Sequence, residues 1–142
     1  DGRRPLYLSL HSNAISSESE WVGQGRARGI SVYTSKGQTE SDKAATAIFA
    51  ALSAASPGRG RPLPLPERPS RGLLPMRGQT GPDGDPDYEE NFYVLRSTKG
   101  PAVLVELGFH DHPGDATWLL DDRNLREAAR YLACGVVAWA AH

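Results

Sequence analysis

The run Pro101-Ala-Val-Leu-Val-Glu-Leu-Gly-Phe109 constrains this chain more than any other stretch. It is short, apolar and partly β-branched, and Lys99-Gly100 precede it. Those features predict a buried strand. Glu106 interrupts the run. A carboxylate in such a setting costs free energy unless it is paired, bound to a metal or neutralised. Gly108 follows at once, where a strand can give way to a loop. A polar residue at the end of a sheet strand is a common way to place chemistry at the mouth of an α/β fold. A lone glutamate on an edge strand facing water is the commoner situation.

A second run weighs against that ordinary reading. Leu6-Tyr7-Leu8-Ser9-Leu10-His11 alternates with a two-residue period. Leu6, Leu8 and Leu10 share one face, and Tyr7, Ser9 and His11 the other. His11 ends the strand, followed by Ser12-Asn13. A neutral imidazole is both a metal ligand and a base, although a capping or surface histidine fits the pattern as well. If the two strands are parallel neighbours, His11 and Glu106 converge at the C-terminal edge of one sheet.

The remaining elements follow from local pattern. Residues 13–29 are rich in glycine and serine and read as a long loop. Trp21 is there either a substrate-contacting lid residue or a loop anchor. Gly29 to Thr34 reads as a strand. Thr39 or Ser41 can cap the next helix, with Asp42 in its first turn. Ala44, Ala45, Ile48, Phe49 and Leu52 form its apolar stripe, and Pro57-Gly58 stops it. Asn91 to Arg96 reads as a short strand. His110-Asp111-His112-Pro113-Gly114 offers metal-ligand types, but a surface turn is preferred. Asp115 is expected to cap a short helix holding Trp118. Asp121 or Asp122 is expected to cap a last helix, whose stripe runs from Leu125 to Ala140.

Residues 57–90 are the least regular, with Pro62, Pro64, Pro66, Pro69, Pro75, Pro82 and Pro86 among them. Pro62 to Pro66 favours an extended polyproline conformation, which gives weak support to an SH3-type ligand. Gly81-Pro82-Asp83-Gly84-Asp85 lacks the calcium-loop pattern and reads as a turn.

Composition narrows the function classes. The chain has 142 residues, with 16 basic and 17 acidic side chains and a net charge of -1. That balance gives no electrostatic case for nucleic acid or an anionic membrane. No stretch is long and apolar enough to span a bilayer. Cys134 is the only cysteine, which excludes an internal disulfide and a cysteine-based zinc cluster.

Both opening strands carry a resemblance. Leu8-Ser9-Leu10-His11-Ser12-Asn13-Ala14 resembles a signature of the zinc-dependent N-acetylmuramoyl-L-alanine amidases of the Amidase_3 type. Phe92 to Thr98, followed by Pro101 to Phe109, is similar to the family's closing signature. The order and spacing agree across most of the chain, except in the proline-rich region.

The resemblance implies a three-layer α/β/α sandwich with a mostly parallel sheet. Residues 1–142 would be the C-terminal part of one catalytic domain, with an insertion or loop at about 57–90. N-terminal strands and helices would be missing from this chain. The implied activity is zinc-dependent hydrolysis of the amide between N-acetylmuramic acid and L-alanine in peptidoglycan. His11 matches a zinc ligand and Glu106 the catalytic glutamate. Asn13 and Arg71 match substrate-binding positions. The family's other histidine and its glutamate ligand fall before Leu6, so a partner chain or N-terminal half is expected to supply them. A secreted, periplasmic or cell-wall location goes with that activity. The alternative is a non-catalytic, cell-wall-binding or structural fragment of the same fold.

Overall fold

The computed structural model describes residues 5–15, 27–56, 72–78 and 84–142. Trp21, Arg71 and Pro62 to Pro66 lie outside the described residues. Within them are four strands and four helices. They run β1 (Tyr7–Asn13), β2 (Ser31–Thr34), α1 (Glu40–Ala55), β3 (Tyr88–Glu89), α2 (Tyr93–Arg96), β4 (Ala102–Phe109), α3 (Pro113–Leu119) and α4 (Asp122–Ala140).

The strands form one sheet in the order β1-β4-β2-β3. β1 pairs with β4 in parallel, β2 with β4 antiparallel, and β2 with β3 in parallel. All eight residues of β4 are buried, as its unbroken apolar run requires of a central strand. Its alternation divides the core. Val103, Val105 and Leu107 join the main cluster with Ile48 and Leu52 of α1 and Leu132 of α4. Ala102 and Leu104 face the other way and pack with Leu95, Val94 and Tyr33. Helices α1 and α4 thus cover one face and the single turn of α2 touches the other. The result is the expected α/β sandwich with a mostly parallel sheet.

Helix α1 begins where Thr39 caps it. Thr39 Oγ1 accepts from Ser41 N at 3.1 Å, and the Asp42 side chain accepts from Thr39 N to complete a capping box. Asp121 caps α4 by accepting from Arg123 N at 2.9 Å. Gly135 lets these two helices meet closely. A Cβ added there would lie 2.6 Å from Ile48 Cα.

Two local expectations change. Residues 91–96 hold the turn of α2 rather than a strand. Leu95 is buried beneath β4, and a one-turn helix is too short to show a helical period. Helix α3 starts earlier than expected. Its N-cap is His112, whose Nδ1 accepts from Asp115 N at 3.2 Å, with Pro113 in the first turn. Asp115 is therefore inside the helix and fully buried. Its Oδ2 accepts from Gly29 N at 2.6 Å and from Phe109 N at 3.2 Å. One carboxylate thereby ties the approach to β2, the end of β4 and the start of α3.

Candidate functional site

The β1–β4 pairing builds the site. His11 and Glu106 are direct partners in the register, and both strands are parallel, so both residues lie near the C-terminal ends. Adjacent strands are about 4.8 Å apart. Glu106 lies two residues from Leu104 and so shares its face, the one not covered by α1 and α4. Ser31 and Tyr33 of β2 lie on the same face, Ser31 opposite Glu106 and Tyr33 opposite Leu104.

Just past this pair the register shifts. His11 pairs with Glu106, but Asn13 pairs with Phe109, so β4 carries one extra residue. Gly108 lies in that stretch at φ +152, and a Cβ on it would stand 2.7 Å from Leu74 Cδ1. A bulge here bends the strand end and re-aims the residues beyond it.

Glu106 is buried, and its Oε2 has no hydrogen-bond partner among the described residues. Burial pushes its pKa up, against the opposing pull of His11 and His110. A buried carboxylate oxygen without a donor is expensive, and such atoms concentrate where a proton or a cation is to be handled.

His11 is exposed. Its Nε2 lies 2.9 Å from Ser9 Oγ, and Ser9 is buried two residues earlier on the same face. In the tautomer in which Nε2 donates to Ser9 Oγ, Nδ1 keeps a lone pair that could hold a metal. His110 stands nearby, with Nδ1 3.1 Å from Ser12 Oγ, and its backbone N–H donates to Asn13 O at 2.9 Å. Asn13 Nδ2 reaches the Tyr33 hydroxyl at 3.4 Å. Asn13 is thus on the strand that carries His11, with its side chain held towards β2.

The rest of the His-Asp-His run does structural work. Asp111 is buried and Oδ2 accepts from Ile15 N at 2.8 Å. His112 is the α3 cap described above.

A family model described as N-acetylmuramoyl-L-alanine amidase matches residues 1–138. The chain belongs to this amidase family.

Known members and look-alikes add scale. A probable cell wall amidase LytH of Staphylococcus aureus is 45% identical over 51 residues, which is 36% of this chain and 15% of that protein. The fold is similar to CwlD amidase of Clostridioides difficile, solved in complex with the GerS lipoprotein. The TM-score there is 0.65 at 16% identity, covering 94% of this chain and 53% of the other. It is similar also to an N-acetylmuramoyl-L-alanine amidase of Clostridium difficile 630, with TM-score 0.63 and 21% identity, covering 94% and 56%. This amidase-family chain therefore spans about half the length of those structures, and far less of the curated relative.

Metal-ligating side chains gather elsewhere too. Asp42, Asp85 and Asp87 each offer an oxygen, all within 4.8 Å of one another, close enough to hold a metal ion. Among the described residues no other three His, Cys, Asp or Glu side chains do so. Around His11 and Glu106 the described residues of this amidase-family chain therefore bring together no three side chains close enough to hold a metal ion. Sequence reasoning placed Asp42 only as a first-turn acid, and Asp85 in a plain turn. Asp115 reads as a helix cap, which misses its ties to Gly29 and Phe109, and Asp87 carries no local signal, because Thr34 and Asp42 lie far away in the chain.

Proposed function

We propose that this chain is the C-terminal part of a zinc-dependent amidase domain. It would hydrolyse the amide between N-acetylmuramic acid and L-alanine in peptidoglycan. The observation that carries the reading is the pairing of His11 with a buried Glu106 that has an unpartnered oxygen. An N-terminal half or a second chain supplies the remaining ligands, a His and a Glu. The place of β1 at the edge of the sheet among the described strands, and the half-length match to the similar structures, support that division.

His11 would hold the ion from the sheet edge, its ring positioned by the contact with Ser9. Bound zinc would supply Lewis acidity towards the scissile carbonyl and acidify a water. Glu106 is the base. Its raised pKa keeps it able to take a proton from water and return one to the leaving amine. Asn13 and Arg71 are assigned to substrate, Asn13 from its place beside the pair. The location that goes with this chemistry is secreted, periplasmic or cell-wall-associated. Among the described residues no helix is long and apolar enough to cross a membrane.

The second reading is a non-catalytic, wall-binding or structural piece of the same fold. The lack of a three-ligand cluster around His11 and Glu106 among the described residues favours it. Zinc analysis of the purified protein, with every chain of its complex present, separates the two. The enzyme reading expects one zinc per site, removed by His11→Ala, and peptidoglycan hydrolysis lost in Glu106→Gln with zinc retained. A complete complex that binds no zinc would overturn it.

A further inference from the structure

The acidic cluster stands apart from the amidase site. Thr34 ends β2 three residues after Ser31, the partner of Glu106. That is about 10 Å along the strand, on the opposite face of the sheet. Around Thr34 gather Asp42 from the start of α1 and Asp85 and Asp87 from the segment leading into β3. Asp42 and Asp87 are 3% and 2% exposed.

The donors around these carboxylates run out. Asp42 Oδ2 takes the N–H and the hydroxyl of Thr39. Asp85 Oδ2 takes Gln38 Nε2 at 3.1 Å. The Thr34 hydroxyl lies 2.6 Å from Asp87 Oδ2 and 3.2 Å from Asp42 Oδ1, yet it has one proton for the two. Asp85 Oδ1 and Asp87 Oδ1 are buried and have no partner among the described residues. No lysine or arginine among them pairs with any of the three. The nearby Lys43 ammonium is 2.6 Å from Glu40 instead. Three carboxylates packed this way repel one another unless a cation or a proton lies between them.

We propose that Asp42, Asp85 and Asp87 bind a calcium ion that fastens residues 84–90 to the end of β2 and the start of α1. The donor set is all oxygen, the preference of a hard cation. Two oxygens each about 2.4 Å from one calcium can be no more than about 4.8 Å apart, which is the span these three ligand atoms keep. The unpartnered Asp87 oxygen is the second sign, since it is buried too deeply for bulk water to satisfy. Calcium suits the site better than magnesium, which demands a near-ideal octahedron and sheds its water reluctantly. An approach exists as well. Asp42 and Asp85 line an open cavity of ≈ 540 Å³ together with Lys43, Thr46, Trp139 and His142.

The test is calorimetric titration of the chelator-treated protein with calcium chloride, and separately with magnesium chloride, at neutral pH. One equivalent of calcium binds, and the melting temperature climbs with calcium concentration. Asp85→Asn, at a half-buried position, weakens binding about tenfold or more by removing one ligand charge. Asp87→Asn does the same. His11→Ala leaves the titration unchanged, so a failure of the zinc reading does not touch this one. The proposal is overturned if the folded wild type shows no saturable binding up to about 10 mM, beyond the weak end of calcium sites. Magnesium binding tighter than calcium, or calcium binding undiminished in both variants, overturns it too.

Discussion

His11 and Glu106 occupy one register position in the parallel β1–β4 pair, although 94 residues separate them in the chain. The proposed ligand and the proposed base are therefore spaced by backbone hydrogen bonding rather than by a loop. Glu106→Gln keeps the side-chain shape and removes the base. Hydrolysis by the complete, zinc-loaded protein is expected to fall about 10²–10⁴-fold, with the circular dichroism spectrum unchanged. Wild-type turnover in this variant would rule out Glu106 as the base.

The same carboxylate makes a prediction about pH. Burial raises its pKa, so the folded protein holds this proton more tightly than the unfolded chain does. The stability it contributes is complete below the ordinary glutamate value and is lost as pH rises through the raised one. Metal-free Glu106→Gln is thus expected to melt above metal-free wild type at about pH 7, the gap closing towards about pH 4 as the wild-type carboxyl protonates. Parallel melting curves across that range test it. A gap that widens in acid contradicts the sign.

Much of this pair was legible in the sequence because a period of two is a strong signal. Leu6, Leu8 and Leu10 alternating with Tyr7, Ser9 and His11 set the faces of β1, and the apolar run of β4 marked a central strand. Thr39 and Asp121 were legible as helix starts for the same local reason. What stayed hidden depends on distant contacts or on too few residues. Four residues of α2 cannot display a helical period, and Phe92-Tyr93-Val94 carries β-favouring side chains. Pro113-Gly114 reads as turn punctuation until the capping His112 is seen beside Asp115 N. Nothing local in Pro86-Asp87-Tyr88 announces that Asp87 meets Asp42 under β2.

Asp115 holds three elements with one buried carboxylate. Asp115→Ala strands the N–H groups of Gly29 and Phe109, and a loss of about 3 kcal/mol or more is expected. Asp115→Asn keeps an accepting oxygen and loses less. Urea unfolding of both variants measures this, and a loss under about 1 kcal/mol for the alanine variant would show that the ties are dispensable.

Ser9 is expected to matter through His11. Ser9→Ala removes the oxygen 2.9 Å from Nε2 that sets the imidazole. Zinc affinity, followed by chelator competition on the complete complex, is expected to drop about 10–100-fold. Unchanged affinity would mean that the ring needs no such partner.

Gly135 marks the closest approach of α1 and α4. Gly135→Ala forces a methyl towards Ile48 Cα and is expected to cost about 1–3 kcal/mol. Val137→Ala, at a position 67% exposed on the same helix, is expected to change stability by less than about 0.5 kcal/mol. Equal effects from the two would argue against tight helix contact at Gly135.

The strand order has a further consequence for how the molecule comes into being. β1 comes first in chain order among the described strands, yet its only neighbour among them is β4, the last. During synthesis, His11 must wait until Phe109 has been added before its partner strand is whole. Such long-range pairing is slow to close. A nascent or prematurely ended chain therefore carries the histidine without the glutamate. The pairing would withhold the proposed wall-cutting chemistry from unfinished protein with no separate inhibitor.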